Sequence, residues 1–160
     1  SVAAPLLAYA FPRRSAPVGL AAVALLHVVL VWVWHAPAPY AAAYQDLALY
    51  WIMQTTLLGS ATLLWQGLLS SRSPLVRVLF VHLAVIVQMG LLGALITFAP
   101  APLYAPHFLT TDPFGLSPLD DQQLAGLLMW VPAILPYLGA AIAGVVTLLN
   151  RNELSEERAA

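Results

Sequence analysis

Four long apolar stretches, separated by short polar or proline-rich segments, dominate the pattern of the chain. They lie at about 17–37, 44–70, 75–99 and 122–149. A bilayer core about 30 Å thick is crossed by about 20 apolar residues in helical form. Because unpaired backbone groups are costly in lipid, each such stretch must be helical. The pattern therefore predicts an all-α integral membrane bundle of four transmembrane helices.

The segments outside these stretches divide the rest of the chain. Residues 1–16 begin with an apolar run that is too short to span and is followed by Pro12-Arg13-Arg14. We therefore expect an N-terminal cytoplasmic or interfacial arm there. Residues 17–149 form the predicted transmembrane domain, and residues 150–160 are predicted to be a cytoplasmic tail.

Composition supports a lipid environment. Apolar residues make up 61% of the chain and charged residues 8%, whereas soluble domains carry roughly 25% charged residues. So few charges cannot cover a surface that faces water, and the lipid bilayer is the predicted partner. The absence of cysteine excludes disulfides and thiolate metal sites. A net charge of −1, with no dense basic patch, gives no case for nucleic-acid binding.

The placement of the basic residues predicts the orientation of the bundle. The connections 38–43 and 100–121 contain neither arginine nor lysine. By the positive-inside rule these two connections face outward, and both termini are cytoplasmic. All six basic residues agree with this topology: Arg13, Arg14, Arg72, Arg77, Arg151 and Arg158.

One histidine and all three methionines occupy a similar depth in the predicted helices. His27, Met53, Met89 and Met129 each lie about 7–10 residues from the outward boundary, or about 10–15 Å at 1.5 Å per residue. Thioether and imidazole together suit Cu(I), so this layer is a candidate copper site. The simpler interpretation is that methionine fills gaps between helices, and the sequence leaves both open.

Helical phase adds a second pattern. Asp46 and Met53 are seven residues apart, as are Gln122 and Met129. Residues at this spacing share one helix face. Two helices are therefore predicted to place a polar residue at the outward mouth above a buried methionine.

The other polar residues have simpler explanations. Asp120 and Asp121 precede the fourth stretch, where carboxylates cap free N–H groups and favour the helix dipole. His35, His82 and His107 can each be neutral and bonded within the bundle. No Ser/His/Asp spacing and no glycine-rich phosphate loop occurs, so no enzymatic activity is predicted.

Several short motifs over about residues 20–140 resemble the bacterial CtaG-type cytochrome c oxidase assembly factors. The most specific are Trp34-His35-Ala36-Pro37, preceded by His27, and the run from Asp121-Gln122 through Gly126 and Met129-Trp130 to Pro132. Less specific matches are Trp65, Gly93, Phe98-Ala99-Pro100 and Leu103-Tyr104.

The resemblance implies a protein of the bacterial cytoplasmic (inner) membrane, with its arginine-free connections on the periplasmic side. It implies help with copper delivery or subunit assembly for a haem–copper oxidase, and it draws attention to His27, His35 and Asp121. Together with the layer of methionines, it gives a set of candidate copper ligands: His27, His35, Met53, Met89, Asp121 and Met129.

The chain also departs from the family pattern. Family members commonly have seven spans, and their second of these helices often carries a histidine where this chain has Gln54. Glutamine is a poor copper ligand beside imidazole. Two alternatives therefore stay open: a non-catalytic structural subunit of a larger respiratory or photosynthetic membrane complex, and a haem- or quinone-binding membrane subunit with His27 and His82 as ligands.

Overall fold

The computed structural model describes residues 3–11, 19–69 and 74–157. Within these ranges every regular element is helical, which confirms the all-α prediction. Two 3-10 turns, Ala105–Leu109 and Asp112–Phe114, lie in the connection before the last helix. The α-helices are α1 Ala3–Ala10, α2 Leu20–His35, α3 Pro37–Gln45, α4 Leu47–Leu68, α5 Leu75–Thr97 and α6 Pro118–Glu157.

Three of the described helices are long and apolar enough to cross a membrane. They are α4, α5 and residues 118–147 of α6. The 16 residues of α2 rise about 24 Å at 1.5 Å per residue, which is shorter than the bilayer core. Helices α2 and α3 form a pair bent by 73°. The chain is thus a bundle of apolar membrane helices, and the predicted number of four holds if the bent pair counts as one broken span.

The bend has a local cause at Ala36 and Pro37. Ala36 is extended, with φ −69° and ψ 140°, because a residue before proline is disfavoured in the α region. Pro37 then begins α3, at a position where its missing N–H is not needed. The predicted outward connection 38–43 is therefore part of a helix.

The start of the chain packs against the bundle. The described part of the predicted arm forms α1, and Ala4 and Ala8, four residues apart on one face, are buried in a cluster with Leu64. The Gln66 side chain donates from Nε2 to the carbonyl of Phe11 at 2.7 Å. Residues 3–11 are thereby fixed on α4.

The buried core has two parts. The larger joins α1, α4, α5 and α6 and includes Trp65, Val85 and Tyr137. The smaller joins α2, α5 and the connection after α5, through Leu92 and its neighbours. Met89 packs against both. Elsewhere the helices expose leucine, valine, isoleucine and phenylalanine side chains over much of their length, as contact with lipid requires.

Close contact between α5 and α6 depends on two glycines. A Cβ at Gly93 would lie 2.5 Å from side-chain atoms of Trp130, and a Cβ at Gly126 would lie 2.5 Å from Oγ1 of Thr97. Small residues let membrane helices approach in this way. Gly90, on the same helix as Gly93, has nothing within 4 Å of its would-be Cβ.

The sidedness that the arginines indicate stays a prediction, because four of the six lie outside the described residues: Arg13, Arg14, Arg72 and Arg158. Helix α6 continues to Glu157, and the described part of the predicted tail is therefore helical.

Candidate functional site

A lid formed by residues 98–117 covers the end of the bundle where α2 and α5 end and α6 begins. Gln122, which is 4% exposed, fixes this lid. Its Oε1 accepts a hydrogen bond from the Leu103 N–H at 2.6 Å, and its Nε2 donates to the Ile96 carbonyl at 3.1 Å. One amide thus joins the lid, α5 and α6, and we call this contact the Gln122 clasp.

A tyrosine makes a second attachment. The hydroxyl of Tyr104 donates to the His35 carbonyl at 2.8 Å. Burial, with a smaller contribution from Tyr40, raises the pKa of Tyr104 to about 12. The hydroxyl is therefore protonated throughout the physiological range and holds the lid against the end of α2.

Three polar side chains meet at the same end of the bundle. His107 Nδ1 lies beside the Asp121 carboxylate, 3.3 Å from Oδ2, and His107 Nε2 lies within hydrogen-bond distance of the Tyr40 hydroxyl, at 2.7 Å. Both nitrogens of His107 thus face a polar partner.

The two predicted capping carboxylates have separate roles. Ser117 and Asp120 form a reciprocal capping box at the start of α6: the Asp120 N–H donates to Ser117 Oγ at 3.2 Å, and the Ser117 N–H donates to Asp120 Oδ2 at 3.3 Å. Because Asp120 serves the helix end, Asp121 is left to bind His107.

Two neighbouring cavities share His35 and Met129 in their walls. The first, here the lid cavity, has a volume of about 270 Å³. The second, here the deep cavity, has a volume of about 290 Å³ and reaches to Trp65 and Tyr137. The chemically active side chains of the lid cavity are His35, Tyr40, Tyr104, His107, Asp121 and Met129. Those of the deep cavity are His27, His35, Gln54, Met89 and Met129.

The histidines of the deep cavity present free imidazole nitrogens. His27, 6% exposed, has Nδ1 2.9 Å from Ser60 Oγ, and the Ser60 hydroxyl donates to the Leu57 carbonyl at 3.1 Å. Both contacts are hydrogen bonds at once when Ser60 accepts from His27 Nδ1–H, which leaves Nε2 unprotonated. His35 likewise donates from Nδ1 to the Val31 carbonyl at 2.7 Å. In both residues Nε2 keeps its lone pair, the form that binds a metal.

A family model described as the cytochrome c oxidase caa3 assembly factor matches residues 1–151 of the chain. The chain belongs to this family. No similar protein was found among curated proteins or among solved structures.

In this member of the family, residues of the two most specific motifs lie towards the lid end. Trp34 donates from Nε1 to Thr56 Oγ1 at 3.0 Å and so ties α2 to α4. His35 and Met129 line both cavities. Trp130 fills the space left by Gly93. The motifs therefore combine helix packing with the walls of the cavities.

Some predicted site residues lie elsewhere. Met53 lines neither of the two cavities. Asp46, predicted to lie above it at a mouth, instead caps α4 by accepting from the Ala48 and Leu49 N–H groups at 2.7 and 3.1 Å. His82 also lines neither cavity and donates to a carbonyl of its own helix.

Three contributing residues have only weak signals in the sequence. Tyr40 fits the pattern of an interfacial aromatic residue, and Ser60 is one of several hydroxyl residues in α4. Gln122 carried a spacing signal, but its partners in the lid are fixed only by tertiary structure.

Replacing Gln122 with leucine is expected to loosen the lid. The clasp would lose two hydrogen bonds. The buried Ile96 carbonyl would lose the Gln122 amide at a cost of about 1–3 kcal/mol, and the part-buried Leu103 N–H would lose its acceptor at a smaller cost. Hydrogen exchange at the Leu103 amide should rise, while Gln123→Leu, a neighbouring glutamine with no hydrogen bond described, should leave it unchanged. Equal protection of the Leu103 amide in the two variants would show that Gln122 does not hold the lid.

Proposed function

We propose that this member of the family holds one Cu(I) ion in the deep cavity, as cargo for a haem–copper oxidase under assembly. The proposed ligands are His27, Met89 and Met129. The supporting observation is that one imidazole and two thioethers from three helices line one cavity, which shares His35 and Met129 with the lid cavity.

The donor set suits this ion. Thioether sulfur is a soft ligand that favours Cu(I), and imidazole accommodates copper in either oxidation state. All three groups are uncharged, so they would hold a monovalent cation without leaving a buried carboxylate. Among residues 3–11, 19–69 and 74–157, no three His, Asp or Glu side chains form a metal-binding group. The proposed site therefore depends on its methionines.

Three other predicted ligands are left out of this set. His35 lies eight residues from His27, about 12 Å along α2. Met53 lines neither cavity, and Asp121 lies in the lid cavity with His107. Gln54 lines the deep cavity where the family pattern often has histidine. Since glutamine is the weaker donor, thioethers take a larger share of the ligation here.

The proposed cellular role follows from the family and the position of the site. We propose that the lid faces outward in a bacterial inner membrane, as the arginine-free connections indicate. Copper held below the lid would then be transferred to an oxidase subunit on that side, and the chain itself would perform no catalysis.

Titration of the purified full chain with Cu(I) tests the proposal. The wild-type protein, in detergent and without a histidine tag, should bind about one equivalent against a chromophoric Cu(I) chelator. Met89→Leu should weaken binding at least about tenfold, as expected for losing a ligand when the loss of an outer-shell partner alone costs 10–100-fold. Met53→Leu makes the same chemical change outside the cavities and should bind as the wild type does.

Two results would contradict the proposal. Wild-type protein that takes no copper from the chelator would exclude a Cu(I) site of useful affinity. Equal loss of affinity in Met53→Leu and Met89→Leu would show that the effect is not specific to the deep cavity.

A further inference from the structure

The two cavities share part of their walls. His35 and Met129 line both, whereas His107 and Asp121 line only the lid cavity and His27 lines only the deep one. An ion in the lid cavity and an ion in the deep cavity would therefore meet the same two side chains. Such shared residues can pass a ligand from one chamber to the next.

Donor chemistry changes along this path. The lid cavity offers the carboxylate of Asp121 and the imidazole of His107, while the deep cavity offers imidazole and thioether. Carboxylate oxygen suits harder ions, and sulfur suits Cu(I). The order of donors thus favours movement of Cu(I) from the lid cavity inward.

Charge favours the same direction. Asp121 is the carboxylate among the residues that line the two cavities. A negative charge at the mouth of a low-dielectric cleft concentrates cations and raises their association rate. The deep cavity contains no carboxylate of its own and so gains this attraction only through the lid cavity.

The lipid-facing edge of the deep cavity is an unfavourable entry route for an ion. It reaches Gln54 and Leu58, which are exposed on α4 within a helix that is long and apolar enough to span the bilayer. An ion entering there would first have to cross hydrocarbon, where a bare charge is costly. The lid cavity is the less costly approach.

Tyr40, His107 and Asp121 lie side by side along the lid cavity. One nitrogen of His107 lies beside Oδ2 of Asp121, and the other is hydrogen-bonded to the Tyr40 hydroxyl. An incoming ion can bind Nε2 of His107 only after the hydrogen bond to Tyr40 opens, whereas neither contact uses Oδ1 of Asp121. These side chains therefore lie where entry can be controlled.

We propose that the lid cavity is the entry chamber for Cu(I), that Asp121 and His107 capture the ion, and that His35 and Met129 pass it to the deep cavity. This inference rests on the proposed copper function. It adds that the two polar residues at the mouth set the rate of loading and do not form the final site.

Loading rates separate the inference from the proposed function. Stopped-flow mixing of the full chain with Cu(I) in acetonitrile should show Asp121→Asn loading about tenfold more slowly, the lower end of electrostatic rate effects, with equilibrium affinity within twofold of wild type. Tyr40→Phe, which frees Nε2 of His107, should load faster. Asp112→Asn removes a lid carboxylate that lines neither cavity and is the matched control.

The outcomes are distinct. Unchanged rates in both Asp121→Asn and Tyr40→Phe would overturn the inference and leave the deep-cavity site intact. A matching fall in affinity and rate for Asp121→Asn would make Asp121 a ligand of the final site and overturn the inference in another way. Absence of copper from the wild-type protein would overturn both proposals.

Discussion

His27→Ala should lower the Cu(I) affinity by more than about 100-fold. Loss of an outer-shell partner alone typically costs 10–100-fold in metal affinity, and a direct ligand contributes more. His27 is the proposed imidazole ligand, and its Nδ1 lies 2.9 Å from Ser60 Oγ. Competition against a Cu(I) chelator of known affinity, with the full chain in detergent, measures the change.

Ser60 provides a graded comparison. Ser60→Ala removes the acceptor that orients His27 and should cost about 10–100-fold, as for other outer-shell partners. Ser60→Thr keeps a hydroxyl and should restore most of the affinity. If His27→Ala binds Cu(I) as tightly as the wild-type chain, the deep cavity is not the site, whatever Ser60 variants do.

Gly93→Ala should be the most damaging small substitution in the helix contacts. Its new Cβ would lie 2.5 Å from three side-chain atoms of Trp130, and overpacking of this kind costs about 1–3 kcal/mol in the free energy of unfolding. Gly90→Ala adds the same methyl group to the same helix in open space. It should be neutral or stabilising by up to about 1 kcal/mol, because alanine favours helix over glycine.

Unfolding of both variants in mixed micelles, followed by circular dichroism, gives the comparison. The double variant Gly93→Ala with Trp130→Gly should lose less stability than the sum of the two single changes, since the clashing Cβ and ring atoms of Trp130 are removed together. Equal stability of Gly93→Ala and Gly90→Ala would mean that α5 and α6 are not held at this distance.

Much of the fold could be predicted because lipid leaves the chain few choices. An apolar stretch of sufficient length must be helical in hydrocarbon, and the stretch predicted at about 75–99 corresponds closely to α5, Leu75–Thr97. The first stretch, predicted at about 17–37, agrees less well with a single helix, because Pro37 interrupts it. That residue ends α2 and starts α3, and hydropathy alone does not detect a change of direction between two helices.

The walls of the cavities depend on helix rotation, which could not be predicted from the sequence. Counting residues from a boundary gives depth, and depth placed His27, Met89 and Met129 on the wall of one cavity. Depth does not give the rotation of a helix, so Met53 at a similar level lines neither cavity. A spacing of seven residues places two side chains on one face of a helix, but it does not identify the helix that this face contacts.

The contacts of the lid were beyond any local pattern. His107 and Asp121 are fourteen positions apart, and Tyr40 comes from a different helix. Their meeting depends on how the lid folds back over α6. A single sequence contains no periodic signal for such a contact, because the residues between them form short 3-10 turns instead of a regular helix.

The Gln122 clasp couples movement of the lid to movement of the start of α6. A force that lifts Leu103 acts directly on the first turns of α6 through the Gln122 amide. Met129 lies seven residues further along, on the same face of that helix. Opening of the lid and displacement of the deep-cavity wall are therefore not independent motions, and a protein that pulls on the lid also pulls on a residue that lines both chambers.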